Sequence, residues 1–132
     1  MTQKFIVGDL VRYTSLYKEP IAEICETRET SYLIRYMNGN FAKVTSQEIK
    51  PIPITTDILE KNGWYGATHS KQSDDNTKIL YKTFKRKGYP TIKASQDLKI
   101  TYELSPFIVK LESVSDLQHL LFGLGINHEM EV

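Results

Sequence analysis

The chain has 132 residues, 40% of them hydrophobic, and its 17 basic and 16 acidic side chains leave a formal net charge of +1. That length holds one ordinary domain or two very small ones whose cores need neither metal nor disulfide. The near-neutral balance excludes a general attraction to nucleic acid or to an anionic membrane, so any such attraction must be local.

Cys25, the single cysteine, excludes an internal disulfide and a cysteine-rich metal cluster, and no apolar run is long enough for a signal peptide or a membrane span. A cytoplasmic protein without membrane contact or cofactor is expected. From Phe5 to Pro51 the chain reads as a series of short strands. Val7, Val11 and Tyr13 alternate imperfectly with Asp9 and Arg12 around Gly8, as where a strand enters beside a turn. Ile21 to Arg28 alternates more cleanly, with Ala22, Ile24 and Glu26 on one side and Ile21, Glu23, Cys25 and Thr27 on the other. Residues 32–37 and 41–44 flank Asn38-Gly39, the preferred pair for a two-residue type I′ hairpin because both positions need positive φ. Residues 45–48 suit one helical turn, after which Ile49 to Ile52 returns the chain to the sheet edge. Strands this short and this tightly joined are expected to curl and close.

Val-Gly-Asp-Leu-Val at 7–11, Ile-Ala-Glu-Ile at 21–24, Tyr-Leu-Ile-Arg-Tyr at 32–36, Asn-Gly-Asn at 38–40 and Glu-Ile-Lys-Pro at 48–51 resemble the Tudor-like branch of SH3-like barrels in order and spacing. The resemblance implies a small barrel over residues 1–52 that acts in protein interaction. In that family, aromatic side chains at the barrel mouth often hold a methylated Lys or Arg by cation–π attraction. Asn38 and Pro20 stand here where the family's cage has aromatics. Tyr13, Tyr17, Tyr32, Tyr36 and Phe41 are the candidate protein-binding patch, against the alternative that they fill or rim the barrel.

Pro51-Ile-Pro53 enforces an extended connection and marks the start of a second unit, residues 53–132. Thr55 or Thr56 caps a short helix through Asn62, and Gly63 supplies its left-handed stop. Trp64 and Tyr65 follow as strand or anchor residues, and residues 71–77, without an apolar side chain, read as an exposed loop. Three strands are expected at 79–86, 89–95 and 98–104, with turns at Lys87-Gly88 and Gln96-Asp97. A final helix opens with a capping box at Ser115/Gln118 or at Ser113/Asp116 and stops at Gly125. Its apolar stripe, Val114, Leu117, Leu120, Leu121 and Leu124, is expected across the buried face of the second sheet, with His119 turned away and Phe122 beside the stripe as a further protein-binding candidate. Residues 126–132 suggest a returning edge strand.

Pro53 to Trp64 and Val114 to Ile126 also resemble segments of short bacterial proteins, many carried by prophages or mobile elements. Ser115 and His119 depart from the usual residues there. The likeness implies a fold and a genomic origin and brings no activity with it.

Little in the sequence suggests catalysis. His69, His119 and His128 are scattered along the chain, Asp74-Asp75 lacks a third acid at calcium-loop spacing, and there is no phosphate loop or nucleophile motif. Cys25 and His119 would form a nucleophile and base only if folding brought them together. One charge asymmetry stands out: residues 78–93 carry six basic side chains and no acid, interleaved with aromatics, whereas residues 103–132 carry five acids and Lys110 alone. Lys82, Phe84, Lys85, Arg86, Lys87 and Tyr89 are therefore candidate nucleic-acid-binding residues, against a reading in which the lysines protect an edge strand. The same dipolar layout permits a homo-oligomer. The expectation is an α+β, mainly β protein: an SH3-like barrel, then a small antiparallel sheet with two helices. It is expected to be a non-catalytic binding or adaptor protein with a protein partner, and nucleic acid is the alternative.

Overall fold

A computed structural model describes residues 5–72, 78–95, 100–104 and 107–132. Asp74-Asp75, most of the 71–77 loop, the Gln96-Asp97 turn and the Leu98-Lys99 start of a strand lie outside them. In chain order the elements are β1 (Leu10–Tyr13), β2 (Ile21–Thr27), β3 (Tyr32–Tyr36), β4 (Asn40–Val44), a 3₁₀ turn (Ser46–Glu48), β5 (Ile49–Pro51), α1 (Thr56–Lys61), β6 (Tyr65–Gln72), β7 (Lys78–Lys85), β8 (Ile92–Ser95), β9 (Ile100–Leu104), β10 (Phe107–Leu111) and α2 (Val114–Gly123). The fold is mainly β, with two antiparallel five-stranded sheets and two helices. Contacts group the chain into two compact units, residues 1–53 with 113–130, and residues 54–112 with 131–132.

In the first unit the strand order is β4-β3-β2-β1-β5. The expected closure is not seen: among the described residues no ladder joins β4 to β5. Val11, Ala22, Ile24, Ile34, Val44, Ile49 and Phe5 form the buried cluster, as alternation across a pleated sheet requires. The expected alternation of β2 breaks at Cys25. Ile24 pairs with Ile34 but Glu26 with Leu33, so β2 spends an extra residue in a bulge that turns Glu26 out to solvent. At the β3–β4 hairpin the register pairs Tyr36 with Asn40, so the loop has three residues, Met37, Asn38 and Gly39 (φ 31°, 59° and 83°), and not the expected two; within it Asn40 N–H donates to Met37 C=O at 3.3 Å across Asn38-Gly39, whose φ are both positive as expected.

Helix α2 belongs to this unit rather than lying on the second sheet. Ser113 is its N-cap, with Ser113 Oγ accepting from Asp116 N–H at 3.1 Å and Asp116 Oδ2 accepting from Ser113 N–H at 3.0 Å. Gln118, assigned by sequence to the other capping box, is thereby left for a different role. At the far end Gly125 (φ 72°) and Ile126 donate back to Phe122 and Leu121 carbonyls, the double closure of a Schellman stop. Of the expected stripe, Val114, Leu117 and Leu121 are buried while Leu124 is exposed.

The second unit has strand order β10-β9-β8-β7-β6. Strand β10 was not expected from sequence, nor was the run of β6 beyond Tyr65, whose last residues, Lys71 and Gln72, fall in the expected loop. Along β6, Gly66 stands opposite Phe84, and a Cβ there would meet the Phe84 ring at 2.7 Å. The missing side chain lets the fully buried ring lie over the strand. Trp64 is buried too, its Nε1–H donating to Pro90 C=O at 3.2 Å. Helix α1 is capped by Thr55 Oγ1, which accepts from Ile58 N–H at 3.2 Å, and is closed at Gly63 (φ 92°). Asn62 pairs reciprocally with the backbone of Glu131, so the tail is held by a side chain and not as a strand.

Because φ at Gly39 is 83° and a Cβ there would meet no atom within 4 Å, Gly39→Val is expected to destabilise purely through backbone strain, by about 1–3 kcal/mol. Gly39→Asn should cost much less. Urea melts of the three proteins check this, and equal losses for Val and Asn would contradict it.

Candidate functional site

Strands β1 and β3 run in the same direction, so the ends of both, the β1–β2 loop and the start of β4 share one end of the first sheet. Tyr13 and Tyr36 meet there edge to face, with ring centroids 5.1 Å apart, half-buried against the core. Glu48 closes the same end. Its backbone C=O accepts from Thr14 N–H (2.8 Å) and Thr14 Oγ1–H (2.9 Å), and its carboxylate accepts from Thr45 N–H (3.1 Å) and Ser15 Oγ–H (3.2 Å). The Thr45 backbone bond is the main reason the Glu48 carboxyl sits below its ordinary pKa. Burial, then the Glu48 charge and Tyr36, push the Tyr13 hydroxyl up. Tyr17, in the loop, is 89% exposed, and the two residues after it, Lys18 (φ 65°) and Glu19 (φ 43°), are both left-handed without being glycine.

The remaining aromatic candidates are dispersed. Tyr32 is at the opposite end of β3, edge to face with Phe5 at 5.9 Å. Phe41 is 60% exposed and pairs with Arg35, on the face opposite the core. Phe122 on α2 is equally exposed and packs on His128 at 5.4 Å.

A second feature of this unit escaped the sequence reading. Ile6 to Asp9 forms a turn in which Asp9 N–H donates to Ile6 C=O (3.1 Å) and Asp9 Oδ2 accepts from Ile6 N–H (2.9 Å), with Gly8 at φ 94°. Gln118, fully buried on α2, accepts from Leu10 N–H (2.9 Å) and donates to the carbonyls of Gly8 (2.8 Å) and His128 (3.0 Å). His119 does not turn away. Its Nε2 lies 2.6 Å from Oδ2 of Asp9, which is fully buried and whose Oδ1 has no hydrogen-bond partner. Burial outweighs the Ile6 and His119 bonds and raises the Asp9 pKa. His128 joins them, its ring so close that a Cβ on Gly8 would meet Nε2 at 2.8 Å. The visible signal was Gly8-Asp9 itself; its partners, 110 residues away, carried none.

In the second unit the basic-aromatic candidates divide. Phe84 is fully buried and offers no ring to a base. Arg86 lies 3.8 Å over the Tyr89 ring and 5.1 Å over Trp64, so these side chains pack on one another. Lys82, Lys85 and Lys87 are exposed. Register places Lys82 on the face of Ala94 and Ile100, and Lys85 on the opposite face, directly across from Tyr65.

Comparison of the chain with protein-family models, curated proteins and solved structures gives no match to any of them. Among the described residues no three His, Cys, Asp or Glu side chains are grouped as a metal ion requires, and no helix is long and apolar enough to cross a membrane. His119 is committed to Asp9, and the Cys25 thiol is set toward Glu23 C=O at 3.7 Å.

With a folded pKa above the ordinary 3.8, Asp9 contributes stability that is full below that value and is lost as pH rises through the raised one. Asp9→Asn keeps an acceptor for Ile6 N–H and removes the ionisation. The stability of Asp9→Asn relative to the natural protein should therefore increase with pH above 3.8, as urea melts across the acid range would show. A constant difference would mean that Asp9 titrates normally. Gln118→Leu strands three part-buried backbone groups, the Leu10 N–H and the Gly8 and His128 carbonyls, and is expected to cost on the order of 3 kcal/mol at every pH.

Proposed function

We propose that the protein is a non-catalytic binding or adaptor protein whose first unit is an SH3-like, Tudor-like module that engages a protein partner. Support for the fold comes from the strand order β4-β3-β2-β1-β5 and from the 3₁₀ turn between β4 and β5. The observation that carries the function is the Tyr13–Tyr36 edge-to-face pair beside the Glu48 carboxylate, at the end where Tyr17 is solvated. Aromatic faces next to a negative charge attract a cation, so a basic side chain of the partner suits this end best. The left-handed pair Lys18-Glu19 adds to the reading. Backbone in this region costs free energy for residues with a Cβ, and such strain concentrates where a loop presents something. Here the loop presents Tyr17. Of the six aromatic candidates, Tyr13, Tyr17 and Tyr36 form the proposed site, while Tyr32, Phe41 and Phe122 lie away from it.

Binding to an array of Lys- and Arg-containing peptides tests this, read for the natural protein, Tyr36→Leu and Tyr17→Ala. Tyr36→Leu preserves apolar packing and removes the ring quadrupole, so affinity for bound peptides should fall about two- to thirtyfold with the fold intact by circular dichroism. Peptide binding unchanged in both variants would overturn the proposed site.

A further inference from the structure

The exposed basic residues of the second unit define a surface that the protein-binding reading leaves unused. Paired residues Ala67, Thr83, Lys93, Thr101 and Lys110 form one row across all five strands, and directly opposed residues share a face. Tyr65 and Lys85 form the adjoining row on that face. The other face carries Phe84, Ile92, Ala94, Ile100 and Leu111, all buried. The sheet therefore has a core face and a solvated face; the five-strand row holds two lysines and two threonines, and the adjoining row holds Tyr65 and Lys85 on β6 and β7 and the register position of Glu103 on β9. Lys110 shares its charge with Glu112 at 3.2 Å, whereas Lys85 and the nearby Lys87 have no ion pair among the described residues. Tyr65 is 79% exposed beside Lys85.

Protection of a sheet edge does not explain Lys85. Its strand, β7, is paired on both sides, by β6 and by β8, so it has no free edge to protect. A lysine on an interior strand next to a solvated aromatic ring is instead the combination that holds single-stranded nucleic acid, cations along the phosphates and a ring stacked on a base. We propose that this face binds single-stranded nucleic acid without strong sequence preference. Tyr65 is the stacking platform, and Lys85 and Lys87 are the phosphate contacts. Phe84, Arg86 and Tyr89, the ring and cation partners suggested by sequence, belong to the packing beneath it.

The test is fluorescence anisotropy of a labelled short oligothymidylate titrated with the full chain over a series of salt concentrations. Binding should weaken with a log–log slope of roughly −0.7 for each phosphate contact. Tyr65→Ala should reduce affinity about five- to hundredfold at constant slope, and Lys85→Gln with Lys87→Gln should flatten the slope. These side chains are solvated, and urea melts would confirm that the variants remain folded. Absence of binding at low salt would overturn the proposal. So would binding indifferent to Tyr65→Ala, or displacement of the oligonucleotide equally well by polyglutamate, which would assign the face to acidic protein segments. None of these results bears on the Tyr13–Tyr36 end, which is read with peptides.

Discussion

The first unit depends on a single constraint: buried backbone polar groups must be paired. At the Gly8-Asp9 bend the chain enters β1, and the Leu10 N–H and Gly8 C=O find their partner in the side chain of Gln118. A glutamine amide presents one acceptor and two donors, so it substitutes for a short stretch of neighbouring strand. The same amide also holds His128 C=O, which draws the segment after α2 onto the bend. Leaving such groups unpaired costs more than most single contacts contribute. This explains why residues 113–130 join a sheet formed by residues 10–51 and not the strands that precede them in the chain.

The second unit is organised differently, around shape. Phe84 is buried because Gly66 has no Cβ to oppose it, and Trp64 is held by one hydrogen bond to Pro90 C=O at 3.2 Å. Arg86, stacked on Tyr89 and near Gly63, covers this aromatic group from its cationic side. An arginine so placed acts through its planar, weakly hydrated guanidinium as much as through its charge. Half of what the sequence presents as a basic-aromatic recognition surface is therefore consumed in building the unit, and the lysines are what remains.

Local chemistry was the legible part of this sequence. The Asn38-Gly39 turn, the stops at Gly63 and Gly125, and the strands β2 to β4 follow from short-range signals. Strand β6 did not, since Tyr-Gly-Ala-Thr-His-Ser-Lys-Gln has almost no apolar alternation; it is an edge strand held by its ladder to β7. The bulge at Cys25 leaves no local mark because it is a matter of pairing. The placement of α2 was illegible for the same reason. Its stripe specifies a buried face but not which sheet covers it, and the decisive residues, Gln118 and His119, are polar positions that helical periodicity assigns to solvent.

Two carboxylates of the first unit answer to pH in opposite senses. Glu48 accepts backbone and hydroxyl bonds as an anion, so its contribution is present above the ordinary 4.5 and is lost as pH falls through its lowered value. Asp9 is enclosed, and its contribution is present below 3.8 and lost as pH rises through its raised value. The acid that loosens the Thr45, Ser15 and Glu48 corner thus relieves the bend where α2 attaches. As pH rises the balance reverses: Glu48 holds its bonds as an anion, while the buried Asp9 carboxyl, whose Oδ1 has no partner, disfavours ionisation. His119, one-third exposed, lies between that carboxyl and water. Glu48 therefore braces the proposed binding end above the range in which its carboxylate protonates, and Asp9 sets an opposite pH dependence where α2 attaches.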